Sequence, residues 1–301
     1  MNVLVTGGVG FVGTNLIKRL LKDGHKVESV DNYSTGKKEN ELDGCNYIKT
    51  DISDNMRRHG AFALDSYQLV KPDIIYHLAA VPRIQPSFLN PTTTFDSNVK
   101  GTQNIMEYAR KLNIPVIYAG SSSSHGDKYA NPYTHSKWLG EELVTMYNRI
   151  YNIPTIICRF YNVYGEYQLT EGAYCTVLGV FERLYKENKP LTITGDGEQR
   201  RDFTYVGDII DGLVKCGDAV CDGGIVDEIS GEIFELGNGK NYSINELANA
   251  FGEYPKKYIE ARPGEMRITL NIDEKAKHLL EWKPKGNIIN YVKDKYKWVK
   301  L

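Results

Sequence analysis

No apolar run in this chain of 301 residues approaches the roughly 18 consecutive apolar residues that a membrane-spanning helix needs. Cysteine is scarce. Cys45, Cys158, Cys175, Cys216 and Cys221 are odd in number, widely scattered and without a C-x-x-C pair, which disfavours a disulfide framework or a zinc site and fits a reducing cytoplasm. Charge of one sign is also missing: 37 Lys+Arg against 38 Asp+Glu leave a formal net charge of −1. No overall field draws such a chain to nucleic acid or anionic lipid, so an anionic ligand has to be held by local groups. The sequence has no low-complexity tract, charged tail or internal repeat. Collagen, coiled coil, disorder, a membrane protein and a secreted mini-domain are thereby excluded. What remains is 41% hydrophobic and 25% charged, ordinary for a globular protein with a full-sized core and a length suited to about two domains. Met1–Val5 already reads as a strand, leaving no room for a signal or transit peptide, and a cytoplasmic location is expected.

The first half alternates in type. Val3–Thr6, Lys26–Val30, Tyr47–Lys49, Asp73–His77, Val116–Ala119 and Thr155–Cys158 are short β-branched runs that predict strands. Between them lie stretches of helical spacing: Leu16, Ile17, Leu20 and Leu21, closed by Gly24, and Asn98–Leu112 with Val99, Ile105, Met106 and Ala109 on one side. Strands separated by helices imply an α/β, Rossmann-type, doubly wound parallel sheet over residues 1–160. After Phe160 the rhythm loosens into Tyr-, Gly- and Asn-rich turns. Ser243-Ile244-Asn245-Glu246 is a capping box that starts a helix, and Glu232–Leu236 reads as a strand returning to the first sheet. The expectation is a smaller, partly discontinuous C-terminal substrate-binding domain (161–201 and 238–301), with about 202–237 going back to the first. Ligands belong in the cleft between the two.

Thr6-Gly7-Gly8-Val9-Gly10-Phe11-Val12-Gly13 sits where the first strand turns into the first helix. Gly7 permits the tight turn, Gly10 a close approach to a pyrophosphate, and Gly13 close helix–strand packing, while the free N–H groups of the helix start hold phosphate charge. Asp31, 24 residues after Gly7, ends the second strand. A carboxylate there accepts hydrogen bonds from ribose hydroxyls and repels a 2′-phosphate, which predicts NAD rather than NADP. Asp51-Ile52 suits the adenine edge, although an Asp after a strand also serves as a helix cap.

Six Y-x-x-x-K pairs occur: Tyr33/Lys37, Tyr67/Lys71, Tyr133/Lys137, Tyr185/Lys189, Tyr291/Lys295 and Tyr296/Lys300. Only Tyr133/Lys137 lies in a suitable place. Asn131-Pro132 caps a helix there, so Tyr133 falls in its first turn with Lys137 one turn on, just after the serine run Ser121–Ser124 that follows the fifth strand. A phenol of reference pKa about 10 must come down about three units to act as a base near neutrality, a differential stabilisation of about 4 kcal/mol. A nearby ammonium and the nicotinamide cation both favour the phenolate, and a serine hydroxyl would bond the reacting oxygen.

These pieces, together with Asp31-Asn32-Tyr33-Ser34-Thr35-Gly36, His77-Leu78-Ala79-Ala80, Asn98 before Gly101-Thr102, Arg159-Phe160-Tyr161-Asn162, GDGEQRRDFTYV and RPGE, run nearly end to end. The chain resembles the extended short-chain dehydrogenases/reductases, in their NAD-dependent nucleotide-sugar epimerase/dehydratase branch, and most of all UDP-glucose and UDP-N-acetylglucosamine 4-epimerases. The resemblance implies a UDP-sugar substrate and NAD as a recycled cofactor. Tyr133 would be the base, Lys137 would hold the nicotinamide ribose, and Ser121 would stand for the active-site Ser/Thr, with Ser122 and Ser123 beside it. Gly7, Gly10, Phe11, Val12, Asp31, Asn32, Ser34, Thr35, Gly36, Asp51, Ile52, Leu78, Ala79, Ala80 and Asn98 would surround the cofactor. Arg83, Ser123, Asn162, Arg201, Arg262 and Thr269 would meet the nucleotide sugar. Independently, two arginines in a second domain are what a neutral chain needs to grip a pyrophosphate, although arginines also make surface salt bridges. No metal is expected. Relatives pair as homodimers through helices corresponding to Asn98–Leu112 and Tyr133–Tyr151.

Dehydratase relatives place an Asp-Glu pair after the active-site Thr, and decarboxylases a Glu. Ser122 and Ser123 cannot supply that proton chemistry, which favours epimerisation. Thr269, seven residues after Arg262, takes the position where a large Tyr goes with glucose/galactose enzymes and a smaller residue with N-acetylhexosamine enzymes. His125 replaces a Tyr of the family pattern, and only four residues separate Asp127 from Pro132, a shortened loop near the sugar. UDP-glucuronate 4-epimerases, dehydratases and decarboxylases of the branch stand as alternatives, as does a non-catalytic NAD-binding protein, which has no need of the Ser121/Tyr133/Lys137 set.

Overall fold

The computed structural model describes residues 1–54, 69–221 and 226–296; Tyr67 and Lys300 lie outside the described residues. All six expected strands form, their ends shifted by no more than two residues: β1 (Asn2–Thr6), β2 (Lys26–Asp31), β3 (Cys45–Lys49), β4 (Ile74–His77), β5 (Val116–Ser121) and β6 (Thr155–Phe160). Six more follow: β7 (Asn162–Tyr164), β8 (Leu191–Thr194), β9 (Arg200–Tyr205), β10 (Ile233–Leu236), β11 (Asn241–Ser243) and β12 (Lys256–Ile259). The large sheet runs β10-β6-β5-β4-β1-β2-β3. Every neighbouring pair is parallel, as crossover connections through helices require. Strand order reverses between β1 and β4, and the cleft opens at that switch point, beyond the strands' carboxyl ends.

The strands read as buried apolar runs because both faces are covered. Val3, Val5, Ile74 and Tyr76 pack on one side with the helices Phe11–Lys22 and Val206–Cys221; Leu4 and Ile75 pack on the other with Gly101–Leu112 and Pro132–Tyr151. The first helix ends as its sequence predicts, with Gly24 at φ 83° beyond it. Asn98 does not start a helix. The helical path already runs from Pro91 and passes through a π turn at Asp96–Lys100 before Gly101–Leu112. The widened turn leaves Asn98 buried, its amide bonded to Val81 N (2.7 Å), Val81 O (3.1 Å) and Ser136 Oγ (3.0 Å). On the helix Pro132–Tyr151, Met146, Ile150 and Tyr151 remain exposed. Among the described residues no helix is long and apolar enough to cross a membrane.

A second lobe carries its own core, Tyr164, Phe181, Leu191, Ile193, Phe203, Leu247 and Ile288 among others, under the small sheets β11-β9-β7 and β12-β8. Ser243 and Glu246 form the expected capping box. Residue 202, the expected point of return to the large sheet, falls inside β9, which pairs with β7 and β11. The return therefore begins with the helix at Val206 and is completed by β10 alongside β6. The stretch assigned to 238–301 is also divided, because Ala276, Leu280 and Trp282 bury themselves against the large sheet's core. Trp282 Nε1 donates to Asp208 O at 2.8 Å, so this excursion is fixed by a buried donor as well as by apolar area.

Candidate active site

A single cavity of about 490 Å³ runs from the glycine turn, past the end of β5, to the second lobe. At one end Gly7, Gly10, Phe11, Val12, Asp31, Asn32, Ser34, Thr35, Ile52, Leu78, Ala79 and Ala80 line it. Gly7 sits at φ 77°, and a Cβ there would lie 2.8 Å from Ala79 N; one on Gly13 would lie 2.1 Å from Gly7 O. The helix that follows has Gly10 at its N-cap, no side-chain cap bond and no acidic residue in its first turn, so its N–H groups are open to an anion. Asp31 accepts from Val9 N (3.1 Å) and Tyr33 N (2.8 Å), with burial raising its carboxyl pKa and those bonds opposing it. Three expected cofactor residues stand behind the wall rather than in it. Gly36 packs on Val9, Asp51 accepts from Asn32 Nδ2 at 2.7 Å, and Asn98 braces Val81. These three brace the loops whose other residues line the cavity.

At mid-cavity the helix Pro132–Tyr151 begins under the side-chain cap of Asn131, whose Oδ1 takes Thr134 N at 2.8 Å. Tyr133 OH donates to Ser121 Oγ at 3.4 Å, and Ser121 Oγ lies 2.9 Å from Ser123 Oγ. Ser121, Ser122, Ser123, Tyr133 and Lys137 all line the cavity. The electrostatics differ from the expectation. Lys137 Nζ turns to Ala119 O (2.5 Å) and Tyr118 OH (3.0 Å), and burial pulls its pKa down to about 8. Burial raises the Tyr133 phenol; the Ser121 bond and the charge of Arg83 oppose that rise. The charge of Glu141 adds to the rise. Arg83 holds φ 83°, a left-handed backbone costing about 1–3 kcal/mol in a non-glycine residue, and its Nε donates to Tyr174 O at 3.1 Å. His77, ending β4, is bonded to Thr6 and Thr102 hydroxyls and kept neutral by burial, its pKa down to about 3.

At the far end Asn162, Arg201, Arg262 and Thr269 line the wall. Arg201 Nη1 donates to Arg200 O (3.0 Å) and Arg267 O (3.3 Å), which aims the guanidinium from β9; Arg262 is exposed. Asn162 Nδ2 donates to Thr269 Oγ1 at 3.2 Å. The short loop before Pro132 does not close the cavity alone. Pro263–Met266 comes across from the second lobe, with Gln85 Nε2 on Pro263 O (2.9 Å), and Glu265 and Met266 line the wall beside Gln85, Tyr174 and Cys175. Sequence reading missed all five: Tyr174, Cys175, Glu265 and Met266 lie in irregular segments that carry no periodic signal, and Gln85 lies in a helix of six residues, Ile84–Leu89, too short to show one. Among the described residues no cluster of His, Cys, Asp and Glu could hold a metal ion.

A family model described as the NAD dependent epimerase/dehydratase family matches residues 3–229, which include the glycine turn, the serine run and Tyr133/Lys137. The chain belongs to that family. This family member is 33% identical to a protein named putative UDP-glucose 4-epimerase from Methanocaldococcus jannaschii, over 99% of this chain and 98% of the other. A UDP-glucose 4-epimerase from Thermotoga maritima, solved with UDP-glucose, superimposes with a TM-score of 0.86 at 26% identity, covering 98% of each chain. A UDP-glucuronic acid 4-epimerase from Bacillus cereus, solved with UDP-glucuronic acid and NAD, gives 0.83 at 28% identity, covering 100% of this chain and 99% of that one. NAD is the family's cofactor, and the open helix N-terminus, the glycine cradle and Asp31 of this family member fit it.

His125, which stands where the family pattern has a Tyr, pairs with Glu235 of β10 (2.9 Å). That bond raises its pKa, burial opposing. A raised folded-state pKa means stability present below the unfolded value of about 6.5 and lost as pH rises through the folded value. For a half-exposed imidazole the screened contribution is about 0.5 kcal/mol, or about 1–2 °C of melting midpoint. Between pH 5.5 and 8 the wild type is expected to lose that increment relative to His125→Asn, as read by thermal unfolding. Parallel curves would remove the ion pair from solution.

Proposed function

We propose that this protein inverts the configuration at C4 of a UDP-sugar through a 4-keto intermediate. The observation that carries the reading is Tyr133 OH hydrogen-bonded to Ser121 in the middle of one continuous cavity, with the nucleotide-binding turn at one end and Arg201 and Arg262 at the other. Bound NAD supplies a reversible hydride acceptor. Tyr133 takes the proton of the 4-hydroxyl and Ser121 holds the reacting oxygen. Arg201 and Arg262 grip the diphosphate, so the keto sugar can turn over within the cleft without leaving it. Tyr133 then returns the proton to the 4-oxygen, and the hydride, held meanwhile on the cofactor, would go back to the opposite face of C4. Ser122 and Ser123 offer no carboxylate for the extra proton steps of dehydration or decarboxylation. Incubating the purified protein with a panel of nucleotide sugars, without added NAD, and separating products by chromatography tests the reading; no interconversion of any UDP-hexose pair would refute it.

Two observations bear on the sugar. Thr269 is small and its hydroxyl is taken up by Asn162 Nδ2 and Asp202 N, which favours room for an N-acetyl group at C2. Turnover of UDP-GlcNAc as well as UDP-glucose is expected; turnover of UDP-glucose alone would remove this point. A second reading, a uronate substrate, rests on Arg83. Its terminal nitrogens make no hydrogen bond among the described residues, and its charge reaches Tyr133. UDP-glucuronate in the same panel decides between them.

Asp31 sets the cofactor. Replacing it by Ser removes an anionic acceptor, worth about 1.5–3 kcal/mol when bonded, and is expected to weaken NAD about 10- to 100-fold while narrowing the gap to NADP. Cofactor titration of the stripped protein measures both, and an unchanged NAD/NADP ratio would contradict the assignment.

A further inference from the structure

The groups behind the serine run form a connected buried ion network. Glu141 follows Lys137 by one turn on the helix Pro132–Tyr151 and is 3% exposed. Its Oε1 accepts from Ser121 N (3.2 Å) and Ser124 Oγ (3.0 Å). Its Oε2 accepts from Arg159 Nη2 (2.7 Å) and Nε (3.1 Å). Arg159, on β6, reaches on through Nη1 to Glu235 Oε1 (3.0 Å), and Glu235 takes His125 Nε2 (2.9 Å) and Tyr161 OH (3.1 Å). Ser121 through His125 form one tight turn. Glu141 therefore holds the start and middle of that turn, Glu235 holds its last residue, and Arg159 ties the two carboxylates together.

We propose that Glu141 is a positioning residue, which sets Ser121 against Tyr133 by clamping the serine turn from beneath. The proposal rests on the reading of Tyr133 and Ser121 given above. Three observations support it beyond a general contribution to stability. First, the bond to Ser121 N acts on the very residue whose Oγ takes the phenol proton donor, so a shift of the turn changes that 3.4 Å contact directly. Second, the fit leaves no slack: a Cβ on Gly120, the residue before Ser121, would lie 2.8 Å from Glu141 Oε1. Third, a buried ion pair is an inefficient way to stabilise a core, since matched apolar residues often serve as well or better. A carboxylate retained here has the geometry of a clamp. Its charge supports the ammonium of Lys137 against burial and also raises the Tyr133 phenol, so the clamp acts through geometry and not by making the phenol more acidic.

The test uses the holoenzyme and four variants: Glu141→Gln, which keeps one acceptor toward the turn; Glu141→Leu/Arg159→Met, which removes the pair at similar volume and leaves Glu235 to His125 and Tyr161, with thermal unfolding checking that the fold is kept; Ser121→Ala; and Ser121→Ala with Glu141→Leu/Arg159→Met. A displacement on the order of 1 Å at a reacting group costs about 100-fold in rate. The expected result is a kcat lowered about 100-fold in Glu141→Leu/Arg159→Met and less in Glu141→Gln, with KM and UDP affinity within about twofold. The combination with Ser121→Ala should be no slower than Ser121→Ala alone. Additive effects, or a change in KM without one in kcat, would overturn the proposal. A crystal structure of Glu141→Leu/Arg159→Met gives an arm independent of turnover. Ser121 Oγ and Tyr133 Oη should part beyond hydrogen-bond distance; their unchanged contact overturns the positioning role. If no nucleotide sugar is turned over by the wild type, the epimerase reading fails while this structural arm still decides the clamp.

Discussion

Tyr133→Phe is expected to lower kcat about 10²- to 10⁴-fold, the range lost when a positioned general acid–base is removed. The substitution is nearly isosteric, and among the described residues the hydroxyl's one hydrogen bond is to Ser121, so it opens no cavity and strands no buried donor. The melting midpoint should therefore hold within a few degrees, and UDP binding, read by calorimetry, should stay within about threefold. That separation of rate from binding and stability is the informative outcome. Unchanged turnover in Tyr133→Phe would take the proton chemistry away from this residue and with it the proposed reaction. Lys137 gives a weaker test of the same idea, because it bonds Ala119 O and Tyr118 OH, so that its removal disturbs the end of β5 as well as any ligand.

Asp202→Ala is expected to cost about 2–4 kcal/mol of stability, on the order of 10 °C in melting midpoint. Asp202 is fully buried and its carboxylate accepts from Asn238 N (2.7 Å), Gly239 N (2.9 Å) and Asn271 N (3.0 Å). Truncation leaves the buried Asn271 N without a partner, at about 1–3 kcal/mol, and frees the partly buried Asn238 N and the exposed Gly239 N. Asp202→Asn keeps one acceptor and should lose distinctly less. The same carboxylate joins β9 to the loop after β10 and to the segment carrying Thr269, so the alanine variant should also raise KM by loosening Arg201 and Thr269. A stability loss below about 1 kcal/mol by denaturant unfolding would show that water or a rearranged loop satisfies the three amides.

Much of this molecule is legible in local chemistry. A glycine turn between a strand and a helix, a capping Asn before Pro132, and a Ser–Glu capping box are short-range devices whose partners lie within a few residues. They can be read without knowing the fold. The choice of Tyr133/Lys137 from six equal spacings rested on such a device, and the structure puts that pair on the cavity wall. Asp202 and Glu141 were not readable in this way. Asp202 is one of three acids in the motif GDGEQRRDFTYV, and its partners lie 36, 37 and 69 residues away. Glu141 shows only as an acid one turn beyond Lys137, an arrangement usually found on solvated helix faces.

The alternation of strands and helices, the position of the glycine turn and the choice of Tyr133 as the candidate phenol came from sequence alone, since each depends on backbone geometry and side-chain periodicity over one or two turns. Tertiary structure decided which way Lys137 points, which cation acts on Tyr133, where the chain re-enters the large sheet, and which carboxylates lie buried behind the site. Those outcomes depend on strand order and on desolvation, and both are set only when segments distant in sequence pack against one another.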